Sequence, residues 1–532
     1  MVTSKEKDTN RHNKLTSGAS TSPVKISSYA WKVLAVLSLV ATMVMYAETM
    51  LIPAIPDLIK DFRTSYSMSS WILTAYLVSG AVMTPIAGKL SDIYGKKKIL
   101  LIIMAIYAIG VSVAGFANNI YFMLVARAIQ GIGISMFPIA FSIIRDQFPR
   151  EKISIGQGVI TSMFASGAVI GLSVGGTIIQ HFGWQATFFT IMPISLSLLI
   201  VIWRFINVNQ NENVEQQPLH LQLLVENKKS SIVNLNSRNI NNNYNTETSG
   251  NTTIDVKGAL TLAATITSFL LVLTFLETSS DNSSTQLAIG FLAIAVVSLS
   301  LFIMMERKAP SPLIDFKMML DKTLLPANIL IMIIGLSMFM VFQTIPILVR
   351  SPIPFGFGES ATNTGNVQLP FALVLLVFGP TSGFIISKLG SLRPIMIGTI
   401  ISGAGFIGLL MLHQTEIEIS MNLAILSAGL SLTSVGAMNV IILSTPRQFS
   451  GISLGISSLM RIVGASIGPA IAGMYMQSNQ SILIIGGIRR LFPSIESYNH
   501  IFLTAAIISI VGIVVAILLR QRVRKIAIPN VV

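Results

Sequence analysis

The sequence predicts an all-α polytopic membrane protein: two related bundles of six helices with two further helices inserted between them, fourteen transmembrane helices in total. Three observations predict this fold class. The chain is 52% hydrophobic and only 11% charged, whereas about 25% of the residues in a soluble protein are charged. Long apolar runs recur along its 532 residues. Short patterns in the first six runs return in the last six.

Fourteen runs are long enough to cross a bilayer, which requires about 20 mostly apolar residues. They lie near residues 31–52, 68–87, 98–117, 121–143, 156–178, 185–205, 257–276, 286–305, 324–349, 366–388, 394–412, 420–443, 453–476 and 500–519. No apolar leader segment precedes them, so we expect the first span to direct membrane insertion.

Composition divides the chain into six segments. They are a polar tail (1–30), the first bundle (31–205), an Asn-rich linker (206–255), the two inserted helices (256–306), the second bundle (324–519) and a basic tail (520–532). The linker has few large apolar residues and is predicted to be disordered.

Lysine and arginine residues concentrate in alternate gaps between the apolar runs. The positive-inside rule therefore places both termini in the cytoplasm, which predicts a multi-pass protein of the plasma membrane. Arg489 and Arg490, in the outer loop near 477–499, are the main exception. Despite the net charge of +14, the basic residues form no aromatic-interleaved face of the kind that binds nucleic acid. The absence of cysteine excludes disulfides and thiolate metal sites.

An internal repeat links the two halves. The stretches 85–95 (PIAGKLSDIYG) and 380–390 (PTSGFIISKLG) place Pro, Gly and Gly at the same spacing, and 171–176 (GLSVGG) is similar to 468–473 (GPAIAG). Each match alone is compatible with chance among glycine-rich helices. Together they favour a duplication, and repeats of this kind are typical of secondary transporters, whose substrate sites lie between the halves.

The stretch GKLSDIYGKKK at 88–98 resembles the loop between the second and third helices of the major facilitator superfamily. The matching residues are Gly88, Asp92, Gly95, Lys96 and Lys97. The resemblance implies that this loop is a latch between the halves that stabilises the outward-facing state, with Asp92 as its carboxylate. The alternative is a plain topology anchor that needs only the lysines.

Three further stretches carry the resemblance. RAIQGIGIS at 127–135 resembles the fourth-helix motif, and GAVIGLSVGG at 167–176 resembles the fifth-helix antiporter motif, with Leu172 in place of its proline. MRIVGASIGPAIAG at 460–473 resembles the helix of the second half that carries an Arg and a Gly-Pro pair. Small residues in these helices permit close packing. The helix-packing motif comprises Gly167, Gly171, Gly175, Gly176, Gly468, Pro469 and Gly473.

Three charged residues inside the spans are candidates for function, because a charge at the centre of a membrane helix costs about 2.5–3.5 kcal/mol on insertion. Glu48 and Arg127 are each expected within about 6–9 Å of the outer boundary, at a similar depth where they can pair. Glu48 is then expected to exchange a proton or to bind a cationic substrate, unless it is simply solvated near the surface. Arg461 is expected far from Glu48 in depth, where it either binds an anionic group or braces backbone carbonyls.

The arrangement of six, two and six helices resembles the fourteen-spanner branch of drug:proton antiporters. This resemblance implies a secondary transporter that exports lipophilic or cationic drugs by alternating access, driven by the proton gradient and without a cofactor. Glu48, Arg127 and Arg461 are the predicted proton-coupling or substrate residues, and the expected partners are a small-molecule substrate, protons and the lipid bilayer. We expect a monomer.

Two other functions stay open. The stretch 46–56 (YAETMLIPAIP) and Leu172 depart from the antiporter patterns, which leaves room for an importer of a nutrient or metabolite with the same fold. A polytopic membrane enzyme is the third hypothesis. The sequence contains no HExxH zinc motif, no P-loop and no pair of intramembrane aspartates, so neither an enzyme nor a metal site is predicted.

Overall fold

The computed structural model describes most of both bundles and of the inserted helix pair. The described residues are 26–149, 153–206, 256–276, 282–309, 316–445, 450–485 and 488–526. Most of the predicted linker and the outer parts of both tails lie outside them.

The first bundle contains eight helical segments. They are α1 (Ser28–Thr49), α2 (Ile55–Phe62), α3 (Tyr66–Tyr94), α4 (Lys96–Ala114), α5 (Ile120–Gly131), α6 (Met136–Gln147), α7 (Ile153–Phe182) and α8 (Trp184–Phe205). Short 3-10 turns at Ile52–Ala54 and Ile132–Ser135 join α1 to α2 and α5 to α6, so that each pair forms one span.

The inserted pair and the second bundle follow. They are α9 (Val256–Leu276), α10 (Asn282–Lys308), α11 (Phe316–Met319), α12 (Leu324–Arg350), α13 (Ala361–Leu389), α14 (Leu392–Met411), α15 (Glu416–Ser444), α16 (Ser450–Ser478), strands β1 (Gln480–Ile485) and β2 (Ile488–Pro493), and α17 (Ile495–Ile526). The antiparallel hairpin of β1 and β2 departs from the all-α prediction, because the sequence at 477–499 was expected to be a loop.

All fourteen predicted runs fall on helices, and the predicted fold class is confirmed. Twelve spans of the described chain are long and apolar enough to cross a membrane. The remaining two runs correspond to α7, a helix of 30 residues, and α9, whose apolar stretch Leu260–Val272 is shorter.

The bundle has two ends, which we name by the residues they carry. The basic end carries the turns at Gly95 and Gly390 and the described chain ends at residues 26 and 526. The far end carries the turns near 63–65, 115–119, 351–360 and 412–415 and the β-hairpin.

The two bundles repeat the same helix packing. In the first bundle α1 packs on α7, α3 on α5 and α4 on α8; in the second, α12 packs on α16, α13 on α15 and α14 on α17. Gly95 and Gly390, which the sequence repeat aligned, both adopt positive φ angles, of 94° and 74°. Ser65 and Ser360 cap α3 and α13 in the same way, each accepting a hydrogen bond from a backbone N–H three residues on. The bundles are therefore pseudo-symmetric.

Glycines set the distance between the most closely packed helices. A Cβ on Gly171 of α7 would lie 2.0 Å from the hydroxyl oxygen of Thr49 in α1. In the second bundle, a Cβ on Gly464 of α16 would lie 2.0 Å from the carbonyl oxygen of Met332 in α12. The same pattern in both halves indicates that the fifth helix of each bundle needs glycine to approach the first.

The contact surface between the bundles is also duplicated. α3 packs on α16, and α7 packs on α13. Gly176 of α7 approaches the carbonyl oxygen of Ala361 in α13, and Gly473 of α16 approaches Ser67 in α3, with ideal Cβ distances of 2.6 and 3.1 Å. The inserted helix α9 packs on both α3 and α16 and so bridges one of these two contacts.

We expect Gly464→Ala to lower the temperature at which the detergent-solubilised protein unfolds. The new methyl group clashes with a backbone carbonyl that cannot rotate away, and overpacking of this kind costs about 1–3 kcal/mol. Thermal unfolding followed by size-exclusion chromatography measures the shift. Gly290→Ala in α10 is the matched control, because a Cβ there meets nothing within 4 Å. Equal unfolding temperatures for the two variants would contradict the role given to Gly464.

Candidate functional site

Of the three charged residues predicted inside the spans, Glu48 lies near enough to both Arg127 and Arg461 to interact electrostatically with them. Glu48 on the last turn of α1 is only 3% exposed, and Arg127 of α5 is fully buried. Arg461 of α16 is partly accessible. Both guanidinium groups interact electrostatically with the carboxyl group of Glu48. The site therefore joins a carboxylate and an arginine of the first bundle to an arginine of the second.

Two predicted positions are corrected by the structure. Glu48 was expected near the outer end of its span, but that span continues through the 3-10 turn into α2 and ends at Phe62. Pro53 and Pro56 begin new helical turns here instead of ending the helix, as proline can because the first turn needs no N–H from it. Arg461 was expected far from Glu48 in depth, but its guanidinium group lies near enough to interact electrostatically with the carboxyl group of Glu48.

Hydrogen bonds to backbone carbonyls fix the guanidinium group of Arg127. Its Nε donates to the carbonyl of Ile72 at 3.1 Å, and its Nη1 donates to the carbonyl of Ala47 at 3.3 Å and to Oε1 of Gln130 at 2.7 Å. The guanidinium carbon lies 4.3 Å from the ring centroid of Tyr76, a favourable cation–π geometry. Arg127 thus ties α5 to α1 and α3.

The glycines of the 127–135 motif explain why Arg127 reaches this position. An ideal Cβ on Gly131 would lie 2.1 Å from the carbonyl oxygen of Tyr76, and one on Gly133 would lie 2.3 Å from the ring of Tyr107. Only glycine permits α5 and its 3-10 turn to lie this close to α3 and α4. The motif predicted from the sequence therefore positions the arginine that it contains.

The hydrogen bonds of Arg127 go to carbonyls and an amide and not to Glu48. Oε1 of Glu48 and Nη2 of Arg127 are both buried and make no hydrogen bond within the described part of the chain. A buried polar group without a partner is costly. The site therefore holds an acceptor and a donor that a proton, a water molecule or a substrate group can satisfy.

The predicted latch loop at 88–98 is held to its own bundle. Lys96 at the start of α4 forms an ion pair with Asp146 near the end of α6, and its Nζ also lies 3.5 Å from the carbonyl oxygen of Ser142. Asp92 lies in the last turns of α3, but its side chain is outside the described part of the structure. The latch role of Asp92 stays a prediction. Sequence analysis did not identify Asp146 as the partner of Lys96.

Two glutamines that the sequence analysis did not single out join the bundles at the far end. Oε1 of Gln477 in α16 accepts a hydrogen bond from the backbone N–H of Tyr66, the first residue of α3, at 3.1 Å. Oε1 of Gln180 in α7 accepts one from the N–H of Ala361, the first residue of α13, also at 3.1 Å. The two contacts are related by the pseudo-symmetry. Each glutamine follows the last glycine of the aligned motifs by four residues, so a longer alignment of the repeat would have found the pair.

An ion pair also crosses between the bundles at the far end. Arg350, at the end of α12, pairs with both carboxylate oxygens of Asp57 in α2 and donates to the carbonyl of Pro53 at 3.3 Å. Deeper in the same region, Nε2 of Gln343 donates to the hydroxyl of Ser69 at 3.2 Å. The sequence analysis missed Arg350 and Asp57 because both lie near helix ends, where charged residues are common.

The basic end differs from the far end in how closely glycines of the two bundles approach other atoms. A Cβ on Gly88, Gly379, Gly383 or Gly455, all in the basic halves of helices that line the contact between the bundles, would meet nothing within 4 Å. The polar contacts between the bundles described above all lie in the far half of the molecule. We conclude that the structure shows a conformation closed at the far end.

Comparisons with known proteins agree with this architecture. The family model described as Major Facilitator Superfamily matches residues 37–370. The chain is 24% identical to the multidrug transporter protein MdtP of Bacillus subtilis over 451 residues, covering 84% of this chain and 74% of the relative. It is 25% identical to the tetracenomycin C resistance and export protein of Streptomyces glaucescens, covering 88% and 80%.

Two more matches come from a relative and a solved structure. The multidrug efflux pump LfrA of Mycolicibacterium smegmatis is 25% identical, with 85% of this chain and 82% of that protein covered. The crystal structure of the human organic anion transporter MFSD10 (TETRAN) aligns with a TM-score of 0.58 at 14% identity, covering 92% of this chain and 99% of that one. The structural match supports the fold alone.

The two glutamine contacts predict how the far end opens. A net hydrogen bond contributes about 0.5–1.5 kcal/mol, so removing both should raise the population of far-end-open molecules by roughly tenfold. The chain has no natural cysteine, and a single Ser69→Cys substitution therefore provides a unique label site that is buried in this conformation. We expect Gln180→Ala with Gln477→Ala to increase the rate at which an impermeant maleimide labels Cys at position 69 from the far side.

Gln414→Ala, at an exposed far-end position, is the control for this measurement. It should leave the labelling rate unchanged. An unchanged rate in the double glutamine variant as well would show that these contacts do not hold the far end closed.

Proposed function

Because the chain belongs to the major facilitator superfamily, we propose that it is a proton-coupled exporter of lipophilic or cationic drugs that works by alternating access. The observation that carries the proposal is the position of Glu48, buried in the first bundle beside an arginine of its own bundle and an arginine of the second. A change in the relative position of the bundles therefore changes the surroundings of a group that can bind a proton.

Alternating access requires two rigid halves and two alternative closures. Each bundle here is packed internally through glycines. The bundles contact each other where α3 packs on α16 and α7 packs on α13, and the polar contacts described between them, hydrogen bonds and one ion pair, lie at the far end. Breaking them and closing the basic end exposes the same central site to the opposite side.

Coupling to protons follows from where the charges lie. Glu48 and Arg127 move with the first bundle, while Arg461 moves with the second. The electrostatic interaction between Glu48 and Arg461 therefore changes as the bundles rock, because the interaction energy depends on distance and on access of water. Proton binding at Glu48 and the conformation of the protein are linked through this interaction, and a proton gradient then supplies the energy without a cofactor.

We further propose that lipophilic substrates bind among buried aromatic and amide side chains of the second bundle. Phe342 of α12 and Phe371 of α13 meet edge to face with ring centroids 5.4 Å apart. Both amide atoms of Gln368 and Oε1 of Gln343 are buried without a hydrogen-bond partner among the described residues. Aromatic surface with a few polar groups is typical of drug-binding pockets. The printed names of the relatives, which describe multidrug transport and antibiotic export, support the same substrate class.

The topology completes the proposal. We place the basic end and both termini in the cytoplasm and the protein in the plasma membrane, as the distribution of lysine and arginine indicates. On this placement the conformation closed at the far end is inward-open, and we propose that the protein is a monomer that takes substrate from the cytoplasm or the inner leaflet.

Dye accumulation in cells that lack their own efflux pumps tests this function. Cells that express the protein should accumulate less ethidium than control cells, and a protonophore should abolish the difference. Glu48→Gln should remove most of the export, because a neutral amide neither binds nor releases a proton. Glu496→Gln, at an exposed position at the start of α17, should export normally.

Two results would contradict the proposal. Protonophore-sensitive export by Glu48→Gln at the wild-type rate would remove Glu48 from the coupling mechanism. Higher ethidium accumulation in the expressing cells would instead indicate import by the same fold.

A further inference from the structure

The β-hairpin is the one element of the described chain that projects from the helical bundles. Its strands pair in a simple antiparallel register in which Ile482 faces Leu491 and Ile484 faces Arg489. Single residues, Asn479 and Ser494, separate it from α16 and α17. Because both flanking helices span the membrane, the hairpin must begin at the membrane boundary.

Hydrogen bonds fix the base of the hairpin. The backbone N–H of Ser494 donates to the carbonyl of Asn479 at 2.9 Å, and the hydroxyl of Ser497 donates to the same carbonyl at 2.5 Å. Pro493 is buried at this base. Beyond it the strands extend about 20 Å, since a strand rises about 3.3 Å per residue.

One face of the hairpin is strongly apolar and exposed. Ile482, Ile484 and Leu491 share this face, and they are 58%, 65% and 57% exposed. Arg489 lies on the same face, beside Ile484. An isolated two-stranded hairpin is only marginally stable in water, so these side chains need a surface to pack on.

Physical constraints define the surface that fits. The described sheet contains two strands only, and its outer backbone edges cannot enter the hydrocarbon layer, where unsatisfied N–H and C=O groups are too costly. The headgroup region satisfies both requirements: it supplies hydrogen-bonding groups for the edges and lies next to acyl chains that accept the apolar face.

The charges of the hairpin match the same surface. Arg489 and Arg490 are both exposed, and they are the main exception to the rule that lysine and arginine avoid this side of the membrane. A guanidinium group binds phosphate with two parallel hydrogen bonds. Arg489 shares the face of Ile482, Ile484 and Leu491, so docking of that face brings Arg489 to a lipid phosphate, whereas Arg490 lies opposite Leu483 on the other face.

We propose that the hairpin docks on the phospholipid headgroup layer at the far end, with Ile482, Ile484 and Leu491 at the level of the upper acyl chains and Arg489, on the same face, on a phosphate group. The inference does not depend on the proposed transport activity. Since Gln477 precedes β1 by only three residues, docking also ties the α16 end of the far-end closure to the membrane surface.

Fluorescence of a single labelled cysteine tests the proposal in reconstituted vesicles. An environment-sensitive fluorophore is attached to Ile482→Cys in the otherwise cysteine-free chain, and to Asn118→Cys at another exposed far-end position as the matched control. In vesicles of phosphatidylcholine and phosphatidylglycerol, emission at position 482 should shift to the blue and be quenched several-fold less by aqueous iodide than emission at position 118. Equal emission and quenching at the two positions would overturn the proposal.

Substitution of the arginines provides a second, independent test. A basic side chain near an anionic surface contributes about fivefold to binding, so Arg489→Gln should reduce the protected fraction at position 482 when phosphatidylglycerol is present. Arg490→Gln, on the opposite face, should reduce it less. Unfolding temperature confirms that these exposed substitutions leave the fold intact. Protection that is independent of Arg489 and of phosphatidylglycerol would overturn the assignment to phosphate. Protection that disappears at one protein per vesicle would assign the face to a second copy of the chain instead.

Discussion

The presence of three charges inside the membrane layer is the constraint around which this structure is organised. Glu48, Arg127 and Arg461 each lie in helices that must cross an apolar medium, where an uncompensated charge is expensive. The protein compensates Arg127 with two backbone carbonyls, a glutamine and an aromatic ring. The remaining interaction, between the carboxyl group of Glu48 and the two arginines, is distributed over both bundles. Compensation of Glu48 therefore depends on how the bundles are arranged.

Close helix packing makes that arrangement possible. The fifth helices, α7 and α16, each approach the first helix of their own bundle through glycines. α7 and α16 also contact the opposite bundle near the far end. A shift of α7 or α16 therefore changes both its packing within its own bundle and its contact with the opposite bundle. The related glutamines, Gln180 and Gln477, show that the duplication includes the contacts between the bundles as well as the bundles themselves.

The sequence was sufficient for the fold and for part of the site. Hydrophobic run lengths predict helices because backbone groups in lipid must be satisfied within the helix, and the repeat of Pro85, Gly88 and Gly95 at 380–390 predicts the pseudo-symmetry. Arg127 was found because it combines a charge with flanking glycines. Local pattern did not reveal the depth of Glu48, since Pro53 continues the span instead of ending it, nor its approach to Arg461, which depends on the packing between bundles. The hairpin was missed because its strands lie in a short stretch between two strong helical signals.

Proton release on substrate binding tests whether Glu48 links proton binding to substrate binding. Purified protein in weakly buffered detergent solution is mixed with ethidium, and a pH-sensitive dye records the protons that appear in solution. If substrate and proton compete through Glu48, wild-type protein and Glu496→Gln should release protons in proportion to the ethidium bound, and Glu48→Gln should bind ethidium without release. Proton release by Glu48→Gln equal to that of the wild type would contradict the account and would place the coupling group elsewhere in the chain.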